Sequence, residues 1–318
     1  MLTFRKLDDV PADFGSAIVS VGNFDGVHRA HRRVLSKIVE RAKSQRARSV
    51  AVTFEPHPIR ILRPDADLKL ITPIAEKLRL LAETNIDAVL VLPFTRDLSL
   101  MTPHRFVHEI LKNALHAQEV HEGYNFHFGH RAEGDVHLLT CFGQEMGFRV
   151  EIYPELRLRG EPVSSSHIRR LIAEGRVSRA RHLLSRTFSI ISTAGRGRGY
   201  GSKYTVPTIN LSRYDELVPK DGVYITRTRV SQECFDSVTN VGNRPTFGAD
   251  SFAIETHLLN FHPLELTADT EVEISFLNRL RDEIKFPSIE VLKEQIGRDV
   301  RKANRYFHLL QRRETTAD

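Results

Sequence analysis

The sequence predicts two domains of different class, an α/β doubly wound parallel sheet over residues 1–185 and an antiparallel β-barrel with a C-terminal helix over residues 186–318. Three observations lead there. The first half alternates strand-like and helix-like segments, the pattern of repeated βαβ units. Beyond about Ser185 the pattern changes to regular strands separated by turn residues. An apolar stripe near the end has the spacing of one long helix.

Taken in order, Ala17–Val21 is a short buried strand. Apolar residues then fall at helical spacing from His28 to Arg46 (Val34, Leu35, Ile38, Val39, Ala42), and Ser49–Phe54 is the next strand. A helix over Pro73–Glu83, a strand at Ala88–Leu92 and a helix over Pro103–Leu115 repeat the unit. A strand near Gln118–Gly123, a helix over Gly134–Met146 and a strand at Phe148–Tyr153 complete the first sheet. In the second half the strands are Val223–Val230, Phe235–Val241, Phe252–Phe261 and Thr270–Phe276, with turns such as Asp221-Gly222 and Asn243-Arg244-Pro245 between them. Ser288 is placed to cap the last helix, whose stripe is Ile289, Leu292, Ile296, Val300, Ala303 and Phe307. The domain boundary is expected within Val177–Phe188.

Lys and Arg exceed Asp and Glu by 46 to 40, a formal charge of +6. The excess is dispersed, so it favours small phosphorylated ligands over nucleic acid or a membrane surface. No apolar run approaches the ~18 residues of a spanning helix, and the N-terminus has no secretory pattern. Cys141 and Cys234 stand far apart with no metal-ligand spacing, which fits a reducing cytoplasm. Oligomeric state leaves no mark in the sequence.

Directly after the first strand stands Gly22-Asn23-Phe24-Asp25-Gly26-Val27-His28-Arg29-Ala30-His31. Ligands of open parallel sheets bind beyond the carboxyl ends of strands, at helix N-termini. Gly22 and Gly26 let the backbone approach a phosphate. His28 and His31, three apart in the first helical turn, can donate to oxygens that gain charge. That suits attack by a phosphate oxygen on the α-phosphorus of a nucleoside triphosphate. A surface histidine pair is the alternative. A second anion-binding segment is Val163-Ser164-Ser165-Ser166-His167-Ile168-Arg169-Arg170, where Ser164, Ser165 and Ser166 start a helix and Arg169 adds a positive fork. A plain helix cap is the alternative there.

The first run resembles the GxFDGxHxGH signature of the HxGH nucleotidyltransferase superfamily, with Ala30 where that signature has Gly. Val163–Arg170 resembles the ISSTxIR segment of one of its branches. Thr53-Phe54-Glu55-Pro56-His57-Pro58 matches that branch's TFxPHP, and Gly123-Tyr124-Asn125-Phe126-His127-Phe128-Gly129 its GxNFxFG. In the second half a loop with Gly195, Gly197, Gly199 and Gly201 leads to Pro207-Thr208-Ile209-Asn210, similar to the PTAN motif of riboflavin kinases. The loop does not fit the P-loop pattern GxxxxGK[ST]. Asn240–Gly248 resembles NIGxxPTF, and Arg281-Asp282-Glu283-Ile284-Lys285-Phe286 matches RxExKF.

Along nearly its whole length the chain thus resembles the prokaryotic bifunctional riboflavin kinase/FMN adenylyltransferase (FAD synthetase) family. The resemblance implies that riboflavin is phosphorylated to FMN and FMN adenylylated to FAD, with ATP and Mg²⁺. It implies His28 and His31 as catalytic, with Gly22, Asn23, Phe24, Asp25, Gly26, the three serines, Arg169 and the four loop glycines on nucleotide phosphates. Asn125 and His57 would contact flavin, Thr208 and Asn210 would hold magnesium, and Glu255 would be the kinase's general base. Two departures lie in the second half: Tyr204-Thr205-Val206 replaces the Gly-Phe before the PTAN-like segment, and a Leu-Tyr-Gly expected after Phe261 is missing. They leave open an adenylyltransferase with an inactive kinase half. A non-catalytic flavin- or RNA-binding regulator is the rival of another class.

Overall fold

The computed structural model describes residues 1–195, 208–212, 214–243, 252–262, 266–267 and 269–315. They form two compact units, Met1–His167 and Ile168–Asp318.

The first unit is built on a six-stranded sheet, every neighbouring pair parallel. Its strands are β1 (Leu2–Phe4), β2 (Ala17–Val21), β3 (Arg48–Glu55), β4 (Ala88–Pro93), β5 (Ala117–Gly123) and β6 (Arg149–Tyr153), in the order β1-β4-β3-β2-β5-β6. From β2 the chain builds β3 and β4 to one side and β5 and β6 to the other. The order therefore reverses between β2 and β5, where open α/β sheets place their ligands. β2 reads Ala-Ile-Val-Ser-Val because both of its faces are covered. Ala17, Val19 and Val21 join one apolar cluster, and Ile18 joins another with Leu35, Ile38 and Ala42 of helix α1 (Arg29–Gln45).

Short helices α2 (Pro58–Leu62), α3 (Ile74–Ala82), α4 (Arg96–Ser99) and α5 (Pro103–Phe106), then α6 (Val136–Met146), fill the crossovers. A hairpin of β7 (Arg157–Leu158) and β8 (Glu161–Pro162) follows. The helix expected over Pro103–Leu115 is α5 continued by π-helical turns over Val107–Ala114. Its apolar residues keep their place in the core, with Val107, Ile110 and Leu111 buried. β1 went unforeseen because three residues carry no readable period.

Helix α7 (Ser165–Ala173) runs across the division between the units, and α8 (Val177–Leu184) packs on the second sheet. That sheet comprises β9 (Phe188–Thr193), β10 (Thr208–Asn210), β11 (Gly222–Val230), β12 (Glu233–Asn243), β13 (Phe252–Leu258) and β14 (Glu271–Arg281). The pairs are antiparallel in the order β10-β13-β12-β11-β14-β9. The sheet curls until its edges meet: Gly195 N donates to Asn210 O at 2.7 Å and Ser212 N to Thr193 O at 2.9 Å. A side chain at Gly195 would stand 2.9 Å from the Leu211 carbonyl, so only glycine fits this closure.

Inside the curl, Phe188, Tyr224 and Phe276 lie beside a cluster of hydroxyls. Thr226, Thr228, Ser237, Thr239 and Thr256 are all fully buried and hydrogen-bond to one another at 2.7–3.0 Å. The opposite face (Val223, Ile225, Val238, Leu277) is covered by Ala303 and Phe307 of α9 (Ile289–Thr315). Only the distal half of the predicted stripe is sheltered. Ile289, Leu292 and Ile296 are exposed among the described residues, because the first turns of α9 run ahead of that cluster.

Candidate active sites

In the first unit a cavity of about 1010 Å³ opens at the carboxyl ends of β2 and β5, lined by Gly22, Asn23, Phe24, His28, His31 and Asn125 among others. The loop after β2 is held open by its own backbone. Phe24 and Val27 take positive φ angles (47° and 37°), which non-glycine residues adopt only when their surroundings impose them. Both are buried, and Val27 N donates to Phe24 O at 3.0 Å. Asp25 fixes the loop from behind: its carboxylate accepts from Ile71 N at 3.0 Å and Thr72 N at 3.0 Å. Gly26 N donates to the Thr72 hydroxyl at 3.0 Å. Asp25 and Gly26 thus lie behind the cavity wall, whereas Gly22, Asn23 and Phe24 belong to it.

His28 is the N-cap of α1 and not, as expected, a residue of its first turn; its Nδ1 accepts from His31 N at 3.4 Å. With Nδ1 occupied as an acceptor, a neutral His28 carries its proton on Nε2. The two rings stack with centroids 3.5 Å apart and planes inclined by 16°, and Phe24 meets His31 edge-on. Burial pulls the His28 pKa down to about 4, against a smaller opposing pull from Asp25. Burial likewise holds His31 well below the ordinary histidine value, and His28 and Lys77 add to it. Both imidazoles are therefore neutral donors near pH 7.

Ser164, Ser165 and Ser166 line the same cavity. Ser164 Oγ accepts from His167 N at 3.3 Å as a helix cap, and Ser165 Oγ donates to the Asp25 carbonyl at 2.9 Å, tying this segment to the loop after β2. Arg169 follows on α7, past the division between the units. His57 caps α2, its Nδ1 accepting from Ile59 N at 3.3 Å, and lies outside the lining.

Two residues of this site escaped the sequence. Lys77 is fully buried, and among the described residues its Nζ has no hydrogen-bond partner. Burial lowers its pKa, opposed by Asp25 and Glu55. Its signal was its position: Ile74, Lys77 and Leu81 share one face of α3, so the lysine stands in an apolar stripe. Glu122, also buried, lines the cavity at the end of β5 and looked like the polar end of a strand.

In the second unit, strand register gathers the candidates. Asn210 on β10 pairs with Glu255 on β13, which pairs with Asn240 on β12. Cross-strand partners project from one face, and Thr208, two residues from Asn210, shares it. Thr208 is paired with His257, whose pKa is lowered by burial. Glu283 reaches the same row, accepting from Asn240 Nδ2 at 3.4 Å, and a side chain at Gly242 would collide with its carboxylate. Gly195 belongs to the barrel closure, while Gly197, Gly199 and Gly201 lie outside the described residues. Oxygen donors of Thr208 and Asn210 beside a carboxylate form a set that suits a hard divalent cation.

Residues 10–167 match the family model described as FAD synthetase, and residues 184–307 that of riboflavin kinase. The chain is 31% identical to the bifunctional riboflavin kinase/FMN adenylyltransferase of Buchnera aphidicola subsp. Schizaphis graminum, over 98% of this chain and 100% of that one. The Escherichia coli K12 protein of the same name is 31% identical over 96% of each chain. A crystal structure described as a macrolide-efflux protein from Streptococcus pneumoniae superposes with a TM-score of 0.85 at 25% identity, covering 95% of this chain and 98% of that one. Among the described residues, no helix is long and apolar enough to cross a membrane.

Proposed function

The chain belongs to the bifunctional riboflavin kinase/FMN adenylyltransferase family, and from that premise we propose how its residues make FMN from riboflavin and FAD from FMN with ATP. The first half, residues 1–185, carries adenylylation. A phosphate oxygen of FMN attacks the α-phosphorus of ATP, the bond to the β-phosphate oxygen breaks, and pyrophosphate leaves. The histidine pair carries this reading. His28, with its proton on Nε2, and His31 stand in the wall where charge builds up, and neutral donors in a water-poor site stabilise that charge without reorganising. Gly22, Asn23, Phe24 and the three serines of the lining form the phosphate bed, and Asn125, also in the lining, contacts flavin. Asp25 holds the bed in place from behind.

The second half, residues 186–318, carries the kinase. The 5′-hydroxyl of riboflavin attacks the γ-phosphorus of ATP, Glu255 takes the hydroxyl proton, and ADP leaves. Thr208 and Asn210 would hold Mg²⁺ through their side-chain oxygens. Bound there, the ion would neutralise charge on the transferred phosphates. The row of Asn210, Glu255 and Asn240 in one register supports this assignment, because it puts base and ion donors side by side. The two free, exposed cysteines fit a reducing cytoplasm.

Incubating purified protein with riboflavin, ATP and magnesium, then separating the flavins by chromatography, tests both halves. FMN should appear first and FAD after it. FAD formed from supplied FMN but not from riboflavin would show a silent kinase half.

A further inference from the structure

β2 and β5 pair in parallel only as far as Val19 and Val120. Beyond that the strands part, at the point where the strand order reverses, and the next amide of β2 on that side has no ladder carbonyl to reach. Val21 N donates instead to Glu122 Oε1 at 2.6 Å. The glutamate is only 3% exposed yet lines the cavity, one residue before Gly123 and three before Asn125. No second hydrogen bond reaches its carboxyl among the described residues, and no cation pairs with it.

We propose that Glu122 is a nucleotide-contacting residue of the adenylyl-transfer cavity, whose Oε2 carries a proton and donates it to an uncharged oxygen of the bound nucleotide. This rests on the assignment of the cavity to FMN adenylylation. A buried carboxylate with one amide and no counter-ion is costly, and protonation removes that cost while turning the free oxygen into a donor. The surroundings agree. β2 brings no ionisable group beside it. Glu151 of β6 pairs in register with His121, on the other face of the sheet, where Glu119 also lies, and Tyr153, paired with Gly123, lines the cavity. His28 and His31 of α1 line the cavity, as do His127, His130 and Arg131 from the loop beyond Asn125. None of these sets its titration: burial raises the pKa well above the usual carboxylate range, and only the Val21 amide opposes it. Ionised, Glu122 would put a negative charge in a cavity that must accept phosphates. FMN offers ribityl hydroxyls and ring carbonyls as acceptors, and ATP offers ribose hydroxyls. The shared chemistry is an uncharged oxygen on a phosphorylated ligand, and the two sources separate by experiment.

The test measures FAD formation by the full chain from pH 6.5 to 9.5, with KM for FMN and for ATP determined in separate arms. Glu122→Gln keeps both an acceptor for Val21 and a donor for the ligand but cannot ionise. Glu122→Leu keeps the bulk and loses both. In the wild type, KM for one nucleotide should rise toward alkaline pH. Glu122→Gln should flatten that rise, while Glu122→Leu should raise the same KM by about 3–10-fold at all pH values. FMN formation and the melting temperature of the same samples report whether each variant is folded. The proposal is overturned if Glu122→Gln keeps the wild-type pH dependence, or if the folded variants bind both nucleotides as the wild type does throughout. A wild type that makes no FAD from FMN would instead fail the assignment of the cavity itself.

Discussion

Two imidazoles stacked 3.5 Å apart in a buried wall cannot both carry charge. His31→Ala should reduce FAD formation by about 10²–10³, the usual cost of one preorganised donor. FMN formation should stay close to wild type in the same sample, and unaltered adenylylation would remove the pair from the mechanism. The depressed pKa values also fix a pH effect on stability. His28 has a folded pKa of about 4 against the ordinary histidine value of 6.5, so the unfolded chain binds the proton first. The stability held above pH 6.5 is lost as pH falls through that window. Thermal melts between pH 7 and 4 should show the loss, and His28→Asn, which can still cap α1, should lessen it. Equal slopes for the two proteins would assign the acid loss to other groups. The histidines were legible because they follow a strand inside a glycine-framed loop. Lys77 was not: a lysine in a helix looks solvated until the sheet it packs toward is known.

At the scale of elements, register does what sequence distance hides. Asn210, Asn240 and Glu255 come from separate segments, and only the antiparallel pairing sets them in a row. Glu255→Gln keeps size and polarity but cannot accept the ribityl proton, so riboflavin phosphorylation should fall by about 10²–10⁴. Adenylylation of supplied FMN should persist, and magnesium-ATP binding should survive through Thr208 and Asn210. Full kinase turnover in this variant would remove the base assignment. Long, strongly patterned elements were visible in advance: Ala17–Val21 is the observed β2 to the residue, and His28–Arg46 brackets α1. The errors have physical causes. Three-residue β1 is held by pairing with β4 and not by a pattern of its own. The apolar start of α9 promised burial, but apolar spacing tells which face could be buried and not how far a partner extends.

For the molecule as a whole, the change of period marks two architectures, and α8 shows what it leaves out. Val177, Ala180, Leu183 and Leu184 are 0–2% exposed, and the helix packs on β14 and β9. A kinase fragment beginning near Glu174 keeps that cover, whereas one beginning at residue 186 loses burial worth roughly 5 kcal/mol. The longer fragment should form FMN and the shorter should melt well below it; equal melting temperatures would show that α8 gives the barrel nothing. The helical stripe was plain in the sequence, but a stripe does not name the surface it meets. The hydroxyls inside the barrel carry a consequence of their own. Thr226, Thr239, Thr256, Thr228 and Ser237 close a circuit, each bonded to the next, with Thr239 donating to Thr256. Around such a loop the hydroxyls can donate in turn, and each bond polarises its neighbours. Ser237 has a second acceptor, the Thr226 carbonyl at 3.0 Å. Cutting the loop anywhere strands a donor on one side and an acceptor on the other. Thr239→Val and Thr256→Val should therefore each cost on the order of 1–3 kcal/mol. Combined, they should cost clearly less than the sum of the two, because the second cut falls on a circuit already open.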